Sequence, residues 1–157
     1  MDWLMFVLRL THVGGGAIWV GMMTFMTFFL TPAMAEAGPQ ESGKLMAALQ
    51  RRRIMVIMPV IALLTITSGI SLMWRTYGGP GNLAASRMGM ALNLGGLAAI
   101  LAFLIGIVFM RPAMMRAMAT TDPAEAQRLR ARGATLSRLV GWMLWFALAA
   151  MAVARYL

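Results

Sequence analysis

His12 is the only histidine in this chain. It lies about three turns into a long apolar run, outward of the midplane, with Arg9 one helical turn earlier on the same face. Ionisable residues inside apolar membrane helices are functional candidates by default. An imidazole there can offer a ring nitrogen to iron or copper, or hydrogen-bond to a neighbouring helix. Arg9 can snorkel to the outer interface or pair with a ligand's carboxylates, as a tetrapyrrole propionate would require. Structural hydrogen bonding and ligation both stay open for His12. Other chemistry has less to stand on. The acidic residues Asp2, Glu36, Glu41, Asp122 and Glu125 all fall outside the apolar runs, leaving no intramembrane carboxylate pair or proton relay. There is no cysteine, and one histidine without such partners makes no nucleophilic triad. Catalysis is therefore not expected, no dedicated metal site is assigned, and Tyr77 and Tyr156 read as interfacial anchors. The 18 methionines raise Cu(I) chemistry, best at Met22, Met23 and Met26 and at Met114, Met115 and Met118. Their spread along the chain fits adaptable apolar filler equally well.

These residues must be positioned by membrane helices. The chain is 61% apolar and 12% charged, against roughly 45–50% and about 25% in globular proteins. Apolar stretches run approximately from Trp3 to Leu30, Ile54 to Trp74, Met88 to Met110 and Leu139 to Ala154. A bilayer core needs about 20 helical residues, so all four can span it. The first is too long for a signal-peptide core and has no basic segment before it, so it is expected to remain in the protein. The expected fold is an all-α integral membrane protein, with residues 1–157 as one membrane domain.

Eighty residues apart, without a gap, the chain repeats itself. Phe29-Leu30-Thr31-Pro32-Ala33-Met34 falls on Phe109-Met110-Arg111-Pro112-Ala113-Met114, Gly15 and Gly16 on Gly95 and Gly96, and Arg52 on Arg132. The repeat predicts two duplicated hairpins, residues 1–77 and 78–157. His12 falls on Leu92, so any site built on it is single and asymmetric. Helices in lipid associate through close backbone approach and interhelical hydrogen bonds. The packing residues expected from this are Gly15, Gly16 and Gly21 on the first span and Gly95 and Gly96 on the third. The first and third spans run parallel and are predicted to cross at these glycines. Thr65, Thr67, Ser68 and Ser71 on the second span and Asn93 on the third are expected to bond across the bundle.

Of the fourteen Lys and Arg, all but Arg9, Arg75, Arg87 and Arg155 lie in or beside the two long connectors. The positive-inside rule places both connectors in the cytoplasm, N-out and C-out, in a bacterial inner membrane. Trp3, Trp74, Tyr77 and Tyr156 gather at the outer interface. Arg51, Arg52, Arg53, Arg128, Arg130 and Arg132 are expected to meet anionic lipid headgroups. With no groove-reading motif or aromatic platform, the basic charge does not indicate nucleic acid. Asp122-Pro123-Ala124-Glu125 predicts a helix start, running to about Arg132, with Gly133 ending it or softening the entry to the fourth span. Pro39 to Arg53 predicts a matching helix, and Pro59 a kink at the start of the second span.

The string Leu10-Thr11-His12-Val13-Gly14-Gly15-Gly16-Ala17-Ile18-Trp19-Val20-Gly21 is followed by Pro32, Arg51 to Arg53, Pro59 and Ser68-Gly69. Together these resemble the loose superfamily of copper-resistance D-type membrane domains and small bacterial haem-pathway protoporphyrinogen oxidases. In the oxidase branch the resemblance implies a haem-serving histidine at His12. It also implies a lysine at the start of a later helix, where this chain has Arg87 or Met88; the only lysine is Lys44. The expected role is a non-catalytic accessory or scaffold subunit packing against other helices of a larger membrane complex, respiratory or photosynthetic. The alternative is a protein binding haem or a related tetrapyrrole through His12 with Arg9 nearby. Copper handling and an oligomeric transporter are further readings.

Overall fold

The computed structural model describes residues 2–157, and those residues are helical with no strand. Helix α1 spans Trp3–Phe25 and continues through a π-helical segment, Met26–Leu30, into α2, Thr31–Arg51. Helix α3, Ile54–Tyr77, returns. A short helix α4, Pro80–Leu83, leads to α5, Arg87–Ile105, a second π-helical segment, Gly106–Met110, and α6, Arg111–Ala119. Helix α7, Pro123–Val153, closes the bundle. Four helical stretches, Trp3–Arg51, Ile54–Tyr77, Arg87–Ala119 and Pro123–Tyr156, are long and apolar enough to cross a membrane.

Local chemistry explains the boundaries. The Asp2 carboxylate accepts from the backbone N–H groups of Leu4 and Met5 at 3.1 and 3.2 Å, capping α1. Ser86 accepts from Gly89 at 3.0 Å to cap α5, and Asp122 from Ala124 at 2.9 Å to cap α7. Each π segment stands just before a proline, Pro32 or Pro112. Proline donates no N–H and crowds the carbonyl four residues earlier, and widening the preceding turn relieves that crowding. In the first segment Thr31 supplies both backbone N–H and hydroxyl to the Met26 carbonyl, the hydroxyl at 2.7 Å. In the second, the Arg111 N–H reaches the Gly106 carbonyl.

The connectors depart from expectation. No helix ends near Arg132: α7 runs 31 residues from Pro123 to Val153 through a buried Gly133. A Cβ at Gly133 would lie 3.7 Å from Met114 Cγ, so this glycine admits a neighbouring helix and does not stop its own. Helix α3 passes through Pro59, and its break from α2 falls earlier, at Arg53 with φ 58°. Within α2 the chain kinks at Gly38, whose φ of 85° and ψ of 172° suit glycine alone.

Spans 1 and 2 pack along one another as an antiparallel pair, as do spans 3 and 4. Seams between spans 1 and 4 and between spans 2 and 3 join the pairs into a four-helix bundle. Its core is Trp19, Met23, Ala62, Ala102, Val140 and Leu144. Trp19 meets Phe103 edge-on, centroids 6.5 Å apart, across the bundle from span 1 to span 3. Asp2 and the C-terminal turn lie at one end of the bundle, where Arg75 reaches Asp2 at 3.6 Å, and both long connectors lie at the other.

Candidate functional site

His12 lies on the face of α1 that meets α3, half-buried. Its Nδ1 is 2.8 Å from the Thr65 carbonyl oxygen, where the ring nitrogen donates. Gly69 forms the floor of this seat: a Cβ there would come within 2.6 Å of Cε1 and 2.8 Å of Nδ1. One turn along α1, Gly15 faces Thr65 so closely that a Cβ would collide with its hydroxyl. The Thr65 hydroxyl donates to Ile61 at 2.8 Å, and the Ser68 hydroxyl lies 2.6 Å from the Leu64 carbonyl and 3.0 Å from that of Thr65. His12, Gly15, Thr65, Ser68 and Gly69 thus form one polar crossing between two helices. A bond from one ring nitrogen to a backbone carbonyl is the arrangement that orients metal-bound histidines.

Arg9 is exposed, and no hydrogen bond or ion pair joins it to His12 among the described residues. Nor do three His, Cys, Asp or Glu side chains come together there as a metal-holding group. Of the methionine clusters, Met23 belongs to the core.

The glycines work differently from the expected crossing of spans 1 and 3. Gly15 packs on Thr65 of span 2, and Gly16 would place a Cβ 3.7 Å from Thr65 Cγ2. Gly95 packs on span 4, where a Cβ would meet the Ala147 carbonyl at 3.1 Å and Ala150 Cβ at 3.3 Å. Gly21 and Gly96 face open space within this chain. The helices carrying the glycines are paired with their sequence neighbours, and spans 1 and 3 meet through large side chains at Trp19 and Phe103.

The expected cross-bundle hydroxyls also turn inward on their own helix. Thr67 donates to Leu63 at 2.9 Å and Ser71 to Thr67 at 2.8 Å, satisfied in lipid without a partner helix. Asn93 reaches the Pro80 carbonyl at 3.1 Å. Besides the His12 bond to Thr65, two side-chain bonds cross from span 1 to span 4. Thr27 and Ser137 hydroxyls are 2.6 Å apart, and Trp145 Nε1 donates to the Thr24 hydroxyl at 3.1 Å. Thr24 and Thr27 are polar exceptions three residues apart in an apolar run, a spacing that marks one helical face and could have singled them out.

The basic residues expected at headgroups are all exposed: Arg51, Arg52 and Arg53 around the turn into α3, and Arg128, Arg130 and Arg132 on the connector end of α7. Comparison with protein-family models, with curated proteins and with solved structures found no match.

Proposed function

We propose that this chain is a non-catalytic membrane subunit that packs against helices of a larger assembly, oriented with its basic connectors in the cytoplasm of a bacterial inner membrane. The observation that carries this reading is a contrast within span 1. The face toward span 2 is consumed by the His12 crossing, while Gly14 and Gly21 have nothing within 4 Å of where a Cβ would stand. Gly21 lines a groove of about 390 Å³ between spans 1 and 4, with Ala17, Thr24, Phe25, Trp145 and Leu148. A partner helix fits such a surface, because small residues permit the close approach that drives association in lipid. The two π turns eighty residues apart support descent of the two helix pairs from one duplicated unit.

Gly21→Leu fills this groove without touching the His12 seat. On native gels of gently solubilised membranes, the assembly containing this chain should lose mass, with the variant's own helicity unchanged. An assembly of undiminished mass would remove the accessory-subunit reading.

A second reading rests on the His12 bond to Thr65. With Nδ1 held there, Nε2 would be the atom to hold the iron of a haem or related tetrapyrrole, which would supply redox or light-absorbing chemistry. His12 would hold that group, Thr65 and Gly69 would orient the ring, and Arg9, toward the interface, is the cation available to a propionate. Protein purified from its native membrane should then carry a stoichiometric Soret band that His12→Ala abolishes. A colourless preparation excludes the tetrapyrrole.

A further inference from the structure

At the connector end of span 3, a cavity of about 170 Å³ opens between α6 and the first half of α7. Its apolar wall is made by Phe109, Pro112 and Leu129, and its polar wall by Arg116 and Arg132. The space is several times the roughly 30 Å³ share of one water, enough for a phosphate-sized anion. We propose that this cavity binds the headgroup phosphate of an anionic phospholipid, held between the two guanidinium groups with its acyl chains descending along span 3.

Three observations support this. First, the two arginines share one small cavity, and neither is neutralised: the ion pairs among the described residues are Lys44 with Glu41 and Arg75 with Asp2. Asp122 and Glu125, the acidic residues nearest in sequence, are engaged by the Ala124 N–H and the Thr120 hydroxyl. Two like charges facing one space favour an anion between them, and guanidinium forks match phosphate oxygens in pairs. Second, both arginines are exposed at the connector end, where a headgroup can reach them. Third, the cavity lies where span 3 leaves its apolar stretch, and Val108 and Phe109, both about half exposed, continue its lining along the outside of the bundle. A free phosphate would have no use for that apolar continuation, whereas a lipid must have one.

The corresponding place in the first half lacks this charge. Eighty residues earlier, Arg132 corresponds to Arg52, but Arg116 corresponds to Glu36, so one positive charge is replaced by a negative one. The chain there also turns away at the Gly38 kink. The lipid site therefore belongs to the second connector alone.

The full-length protein, reconstituted in bilayers mixing phosphatidylglycerol with phosphatidylcholine and re-extracted in mild detergent, can be read by native mass spectrometry. One phosphatidylglycerol should stay bound per chain. Its occupancy should fall about tenfold in the double variant Arg116→Gln, Arg132→Gln. Arg116→Lys with Arg132→Lys keeps the charge and the helical surface but loses the forked geometry, and should fall several-fold. The control pair Arg87→Gln, Arg155→Gln removes as much exposed charge at the opposite end of the bundle and should retain the lipid. Equal retention in the Gln and wild-type proteins, or equal retention of phosphatidylcholine, would overturn the proposal. Displacement of the lipid by millimolar inorganic phosphate would overturn it too, assigning the cavity to a soluble phosphate.

Discussion

The two helix pairs leave their first span through the same device, a π-helical turn ahead of a proline, and then diverge. In the first pair, α2 continues to Gly38, kinks there, and makes little contact with α3 beyond it. In the second, Thr120 to Asp122 breaks the chain, the Asp122 cap and Pro123 start α7, and α6 packs against α7 along the connector. The pairs are also held differently. Spans 1 and 2 cross through a directional bond, His12 to Thr65, on a floor that only Gly69 permits. Spans 3 and 4 cross through contact alone, Gly95 against Ala147 and Ala150. A helix pair in lipid can thus be fixed by a polar bond or by backbone proximity.

Substitutions at the close approaches should separate these two modes most sharply. A side chain at Gly89 would overlap the Leu83 carbonyl, a backbone group that cannot swing aside, so Gly89→Val should destabilise the junction of α4 with span 3 by about 3 kcal/mol or more. Denaturant titration in detergent micelles, following helicity, measures this; a change below about 1 kcal/mol would show that the α4 turn yields.

Gly69→Ala tests the polar crossing. The added methyl must push the imidazole off Thr65, at a cost of about 1–3 kcal/mol for the lost bond and the displaced ring. In a His12→Leu background, which places in span 1 the residue type found at Leu92, the bond is already gone, and the Gly69→Ala effect should change by about 1 kcal/mol. Strict additivity would show that the hydrogen bond contributes nothing to the pairing.

Joining the two pairs depends on the seam between spans 1 and 4. Thr27→Val removes the hydroxyl bond to Ser137 while keeping the shape, and should cost about 1 kcal/mol. The loss should persist when each pair's own crossing is intact, as a double-mutant cycle with Ser137→Ala would reveal. The smallest effect belongs to the chain ends. Asp2 and Arg75 are 3.6 Å apart and about half exposed, so Arg75→Gln should shift stability by no more than about 0.5 kcal/mol, less at high salt. A larger loss that salt does not reduce would mean that Arg75 acts through packing.

Much of the fold could be read in the residues themselves. Apolar run length predicts four membrane-crossing helices, and Asp122-Pro123 predicts the start of α7. Gly133 misleads, since a glycine that ends a helix and one that admits a neighbour look alike until the neighbour is known. The same ambiguity affects Gly15 and Gly95, whose smoothness is evident but whose partners are not. Thr67 and Ser71 mislead because a hydroxyl in a helix can satisfy itself four residues back. Of the candidate site, His12 stands out by its chemistry alone, while Thr65 and Gly69 carry no local mark of being its seat.

The sequence by itself determined the helical class, the four apolar stretches and the uniqueness of His12. These depend on transfer free energy and hydrogen-bonding capacity summed along the chain. Only the tertiary structure decided that Gly15 meets Thr65, that His12 rests on Gly69, that Thr27 finds Ser137, and that Arg116 and Arg132 face one cavity. Those pairings depend on how each helix is rotated and crossed against its neighbours, which whole faces settle together and no single residue encodes.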